Sequence, residues 1–352
     1  MKTISILDCT LRDGGYINDW KFGCDAIRDI VRRLDGAGID IIECGFLRDV
    51  PYNRDASVFS AVEQIEPFIA PKREDALYVA MIAIGDIAPE KISPCSRNGI
   101  DGIRLTFHKH ELHDAVGVGR ALMKKGYKIF MQPVGTVTYS DLELLELTRE
   151  INEMRPYAFY IVDTLGSMYE NDVLHMFQMV DKNLASGIRL GFHSHNNLQL
   201  AFSNAQAIIR LRTRRQVILD SSVFGMGRGA GNLCTELITR YLNMHEDGGY
   251  NQVELMEIVD RYLIPIRNVL PWGYTMPYYL AASKQCHPNY AEYLINKETL
   301  TVKSIDELLE CIPREERPLY NKKRMEQLYR AFQRNEIAVS YTHLDVYKRQ
   351  VL

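Results

Sequence analysis

Two short segments of this sequence hold residue types that bind metal ions. The first, Asp8-Cys9-Thr10-Leu11-Arg12-Asp13-Gly14-Gly15, sets a carboxylate beside a guanidinium ahead of two glycines. Such a run suits a tight turn that aims both charged side chains inward. The second, Gly191-Phe192-His193-Ser194-His195-Asn196-Asn197, places two imidazoles two residues apart. Residues two apart on a strand face one side, so His193 and His195 can reach one ion. Asp13, His193 and His195 together make a three-ligand site with open positions for substrate or water. HxH alone is a weak signal, and its plain alternative is two histidines hydrogen-bonded in a polar pocket. Its combination with Arg12-Asp13 favours the metal.

Other polar residues fall at the ends of apolar runs. Glu43 is a carboxylate in the run Ile41-Ile42-Glu43-Cys44-Gly45. A buried Glu needs a partner, and Arg12 is the natural one, as a site pair or as a purely structural one. Arg104, Thr106 and His108 share one strand face, as site residues or as a polar plug. Thr164 puts a hydroxyl after the run ending at Asp163. The stretch Asp220–Asn232 is rich in glycine, and at Gly227 and its neighbours the backbone N–H groups can approach a ligand closely. Asn232 supplies a further metal oxygen or caps the helix expected to open there.

These segments need a scaffold that brings distant strand ends to one place. Eight β-rich runs are legible: Ile4–Asp8, Ile39–Gly45, Leu77–Ile84, Gly102–His108, Lys128–Pro133, Ala158–Asp163, Arg189–His195 and Val217–Val223. They recur about every 25 to 35 residues, the spacing of βα units. Helical runs fill the gaps. One, over residues 25–34, puts Ile27, Ile30, Val31 and Leu34 on one stripe, with Asp25 as its cap and Gly36 and Gly38 as its stop. Others are expected over 141–151, 171–184 and 198–211. The pattern predicts an α/β protein, a (β/α)₈ TIM barrel with its site at the carboxyl ends of the strands. A doubly wound open sheet would carry GxGxxG after its first strand, and that motif is absent.

After about residue 250 the runs are helical only, over 253–262, 277–284, 304–311 and 322–334. The expected organisation is a catalytic barrel over 1–248, a helical C-terminal region over 249–337, and a tail over 338–352. The glycine pair Gly248-Gly249 suggests the boundary. The tail segment VSYTHLDVYKRQ resembles a translated sequencing-adapter read, so it is set aside as non-native.

With 46% hydrophobic and 25% charged residues, the 352-residue chain has the composition of an ordinary globular protein. A net charge of −3 gives no basic bias toward nucleic acid. The basic run Arg210–Arg215 is read as a solvated helix end. Neither a membrane-spanning run nor a signal-peptide core is apparent. Seven cysteines without a CxxC pair fit a reducing cytoplasm.

The segments LDCTLRDGG, IIECGF, VDTLG, GFHSHNN and LDSSVFGMGRGAGN, in this order, resemble the DRE-TIM metallolyase superfamily, also called HMG-CoA-lyase-like. The resemblance spans about residues 4–240 and is nearest the 4-hydroxy-2-oxovalerate aldolase branch. It implies a carbon–carbon bond lyase that splits a 4-hydroxy-2-oxo acid into pyruvate and an aldehyde through an enolate. It implies that Asp13, His193 and His195 bind the divalent ion, with Asn232 able to complete the shell. The expected ion is Mn²⁺ or Mg²⁺, with Zn²⁺ open. Arg12 steadies the enolate oxygen, Glu43 orients Arg12, and Thr164 sits near the substrate; Arg104 and Gly227 are further substrate-side candidates. One position departs: the aldolases carry an acid/base histidine where this chain has Tyr16. Tyrosine has a reference pKa near 10, so His108 is the alternative candidate. A Claisen-type enzyme joining an acyl-CoA to a 2-oxo acid shares these residues but needs a CoA site, and no extra segment offers one. A non-catalytic barrel is the third reading. The expected partner is a small 2-oxo acid. Homo-oligomerisation and an aldehyde dehydrogenase that receives the product are left open.

Overall fold

The structure is a computed structural model describing residues 3–334. Eight parallel strands form its centre: Ile4–Asp8, Ile41–Leu47, Leu77–Ala83, Gly102–Phe107, Lys128–Pro133, Ala158–Asp163, Arg189–Ser194 and Val217–Ser221. The eighth returns to the first, with Ile4 beside Val217 and Asp8 beside Ser221, and the first also lies beside the second, with Leu7 opposite Ile41. The sheet is therefore closed, and the expected (β/α)₈ barrel is what the chain builds. A two-residue strand, Val58–Phe59, extends the edge of the second strand.

The helices cover the barrel because each has one apolar face. In the helix Cys24–Gly36, the expected stripe Ile27, Ile30, Val31 and Leu34 is buried to 1% exposure or less. Each such side chain contributes roughly 1.5–3 kcal/mol of transfer free energy. The cap differs from expectation. The helix begins one residue early, and the carboxylate that receives the Cys24 N–H is Asp55, at 3.0 Å, while Asp25 lies within the first turn. Further covering helices are Leu112–Lys124, Asp141–Met154, Glu170–Asn183, Ala201–Arg210 and Thr235–His245. Between the third and fourth strands the described chain has only a short 3₁₀ turn, Pro89–Lys91.

The inside of the barrel is divided by polarity. Leu7, Ile41, Val79, Phe130, Ala158 and Ile218 form a small apolar core separate from the larger one under the helices. Beyond it stand charged side chains from three non-adjacent strands, Glu43, Arg104 and Asp220, which reach one another across the interior.

The chain divides into two compact units after Tyr274. The boundary expected at 248/249 therefore moves. The helix Gln252–Ile258 belongs to the barrel's unit, because Glu254 and Glu257 pair with the buried Arg33 and the Asn251 N–H donates to the Ala37 carbonyl. The second unit is helical: Met276–Ser283, Pro288–Ile295, Val302–Glu310 and residues 322–334. They surround a core that includes Tyr290, Leu294, Leu309 and Met325. The tail over 338–352 lies outside the described residues.

Candidate metal and active site

The first strand ends at Asp8, and the chain then turns sharply. The Asp13 N–H donates to the Cys9 carbonyl at 2.8 Å, closing a loop that carries Arg12 and Asp13 into the barrel mouth. Gly15 follows because the Trp20 ring lies against it; a Cβ there would meet Trp20 Cδ1 at 2.0 Å. The seventh strand delivers His193 from its end and His195 just beyond it. Ligand atoms of Asp13, His193 and His195 all lie within 4.8 Å of one another, and the three residues are 2%, 4% and 8% exposed. Among the described residues this is the one group of three or more such side chains with that geometry.

Each histidine is held by its other ring nitrogen. His193 Nδ1 lies 3.0 Å from Asp220 Oδ2, and His195 Nδ1 lies 3.1 Å from the Asp163 carbonyl oxygen. With Nδ1 engaged, Nε2 of both rings is left for a ligand, the usual arrangement around a metal-binding imidazole. Burial pushes His195 down to about 4, so it stays neutral at pH 7, as a ligand must. Burial alone would raise the Asp13 carboxyl, but Arg12, His195, His193 and the Asn232 amide hold it well below the usual carboxylate range.

Asn232 lies beside the trio. Its Nδ2 donates to Asp13 Oδ2 at 2.7 Å, and its Oδ1 is buried without a hydrogen-bond partner. A buried amide oxygen left unpaired costs free energy, and an ion at the trio would satisfy it. Helix capping is not its role, because the next helix begins at Thr235, three residues on. Gly227 closes the other side: a Cβ there would stand 2.3 Å from Asn232 Nδ2 and 2.8 Å from Asp13 Oδ2. The donor set therefore fits a cation with mixed oxygen and nitrogen ligands.

A buried charge network supports Arg12. Its Nε donates to Glu43 Oε2 at 2.8 Å and its Nη1 to Asp13 Oδ1 at 2.5 Å. Arg104 Nη1 donates to the same Glu43 oxygen at 2.9 Å, and Arg104 Nη2 pairs with Asp220. Arg104 is fully buried and braces Glu43 and Asp220 from inside the barrel. Such a network is a poor source of stability, because desolvating the charges offsets their attraction. It does fix where the guanidinium of Arg12 points.

The remaining candidates lie apart from this network. Thr164 is 8% exposed, and its hydroxyl accepts the Gly135 N–H at 2.8 Å. Tyr16, on the short helix Gly15–Asn18, packs its ring against Trp20 with centroids 4.9 Å apart. His108 stacks on His110 with ring centroids 5.9 Å apart and is not part of the group formed by Asp13, His193 and His195. Sequence reasoning passed over Asp220. It is a lone carboxylate in the apolar run Val217-Ile218-Leu219-Asp220, the same signal that singled out Glu43.

Residues 108–261 match the family model described as HMGL-like. The match covers under half of the chain. A 4-hydroxy-2-oxovalerate aldolase of Pseudoalteromonas translucida (strain TAC 125) is 26% identical over 303 residues, covering 79% of this chain and 83% of the relative. One from Geobacillus genomosp. 3 is 28% identical over 293 residues, covering 79% and 84%. Among solved structures, an N-terminal domain from Bacteroides vulgatus superposes with a TM-score of 0.72 at 24% identity, covering 86% of this chain and 99% of that one. The HMG-CoA lyase of Brucella melitensis gives 0.57 at 18% identity, covering 73% and 96%. At these identities the structural likeness concerns the fold alone. No helix among the described residues is long and apolar enough to cross a membrane.

Proposed function

We propose that this protein is a divalent-metal-dependent pyruvate aldolase, cleaving a 4-hydroxy-2-oxo acid to pyruvate and an aldehyde. The observation that carries this is the convergence of Asp13, His193 and His195 with an arginine, Arg12, fixed by carboxylates on both sides. The relatives named 4-hydroxy-2-oxovalerate aldolases support the same reading.

Asp13, His193 and His195 would hold the ion, with Asn232 as a further oxygen donor. The carboxylate and amide oxygens favour Mn²⁺ or Mg²⁺, while the two imidazoles keep Zn²⁺ within range. When bound, a divalent ion supplies Lewis acidity to the keto group of a 2-oxo acid. Arg12 offers its guanidinium to the oxygen on which enolate charge develops, and because Glu43 and Asp13 already orient it, no reorganisation is needed as charge appears. A base takes the hydroxyl proton of the substrate. Tyr16 and His108 are the two candidates; in favour of Tyr16, it follows Asp13 by three residues and its ring stacks under Arg228, next to Gly227. Gly227, whose backbone lies against Asp13 and Asn232, and Thr164, just after the sixth strand, are proposed as further substrate-side positions. The seven cysteines are all free thiols, which agrees with a reducing, cytoplasmic setting.

Proton NMR of pyruvate in D₂O tests the reading. Loss of the methyl signal is expected with protein and Mn²⁺, and is expected to stop with a chelator or in Asp13→Ala. Full exchange by Asp13→Ala, or none by wild-type protein shown to hold metal, would refute it.

A further inference from the structure

The site described so far leaves one cation unused. Arg228 follows Gly227, whose backbone lies against Asp13 and Asn232. Its guanidinium stands 3.9 Å from the centre of the Tyr16 ring. That ring in turn meets Trp20 and Phe46 edge to face, at 4.9 and 6.2 Å. Arg228 therefore sits at the lip of the metal site, on the Tyr16 side.

The arginines beside the metal trio and on the Trp20 and Phe46 side of Tyr16 are committed to carboxylates. Arg12 pairs with Asp13 and Glu43, Arg104 with Glu43 and Asp220, and Arg48 with Asp86. Arg228 is half-buried, and among the described residues no carboxylate pairs with it. A guanidinium stacked on an aromatic face loses little further freedom on binding and presents a planar fork that matches a carboxylate. A half-buried cation without an anion is the arrangement a charged ligand completes.

We propose that Arg228 binds a carboxylate on the aldehyde half of the substrate, so that the preferred substrate is a 4-hydroxy-2-oxo diacid. The inference rests on the pyruvate aldolase reading above. The two arginines then divide the substrate: Arg12 serves the enolate end, and Arg228 the end beside Tyr16, where the C4 hydroxyl loses its proton. The C3–C4 bond breaks, its electron pair stays on C3 as the enolate, and C4 becomes an aldehyde that keeps the second carboxylate. The enolate takes up one proton to give pyruvate. No oxidant or reductant is involved.

The test is the reverse condensation of pyruvate with succinic semialdehyde or with butanal, which has the same chain length and no charge. The wild type is expected to favour succinic semialdehyde by about 10-fold or more in kcat/KM, the scale of a charge-assisted hydrogen bond. In Arg228→Gln this ratio is expected to fall toward one, and in Arg228→Lys to lie between. Taking the ratio cancels any general effect of the substitution on Tyr16. A wild-type ratio near one, or a ratio that Arg228→Gln leaves unchanged, overturns the subsite and makes Arg228 a structural stacking partner. Pyruvate proton exchange by the wild type without condensation of either aldehyde also overturns it while sparing enolisation. Absence of that exchange brings down the aldolase reading itself, and the subsite with it.

Discussion

Gly227→Ala should disable the site without unfolding the barrel. Ordinary contacts of a Cβ begin near 3.4 Å, whereas here the nearest atoms are Asn232 Nδ2 at 2.3 Å and Asp13 Oδ2 at 2.8 Å. The added methyl therefore requires shifts of about 1.1 Å and 0.6 Å in two residues that would bind the ion. Neither can yield cheaply. Asn232 Nδ2 donates to Asp13 and to the Met226 carbonyl, and Asp13 is gripped by Arg12. Binding constellations tolerate roughly 0.5 Å, and a misplacement of about 1 Å costs on the order of 100-fold in rate. The expected outcome is a loss of about 100-fold or more in metal-dependent pyruvate exchange, with weaker Mn²⁺ binding by calorimetry. The thermal melting curve of the metal-free protein serves as the folding control. Wild-type affinity and rate in a folded Gly227→Ala protein would refute the claim that this glycine exists to admit Asp13 and Asn232.

Three further outcomes follow from the buried charges. Asp220→Asn removes the carboxylate that holds His193 Nδ1; Mn²⁺ affinity should fall about 10- to 100-fold, and an unchanged binding isotherm would show that His193 needs no such support. Glu43→Ala leaves both Arg12 and Arg104 short of a carboxylate; urea unfolding should show a loss of about 3–5 kcal/mol, and a loss below about 1 kcal/mol would mean the network relaxes freely. The third concerns Asp8, which burial raises to about 6 against the pull of the Thr235 and Thr10 hydrogen bonds. The native state thus holds a proton that the unfolded chain releases near 3.8, so stability falls as pH rises through that window. At 1.36 kcal/mol per pH unit the penalty above pH 6 is about 3 kcal/mol. Asp8→Asn should flatten the dependence of unfolding free energy between pH 4 and 6, and parallel curves for the two proteins would contradict it.

Much of this molecule is legible along the chain. The eight strand runs and the stripe Ile27, Ile30, Val31 and Leu34 are readable because burial imposes a period that local composition records. The pair His193 and His195 is readable because two residues on one strand have a fixed relation. Asp13 beside Arg12 is readable because glycines mark the turn. What the chain does not record is who meets whom across the barrel. That Arg104 lies beneath the site, between Glu43 and Asp220, depends on how strands far apart in sequence face inward at one level. Asn232 faces Asp13, 219 residues away, because the glycine loop after the eighth strand folds back over the first turn. Arg228 gains its place over Tyr16 by the same fold-back. The helix boundary beyond Gly249 likewise depends on a distant pair, Arg33 with Glu254. Sequence by itself determined which residues can do the chemistry and which face each occupies, since period and turn chemistry are local. Only the closure of the barrel decided which of them meet, because that is set by packing and charge pairing between segments with no local relation.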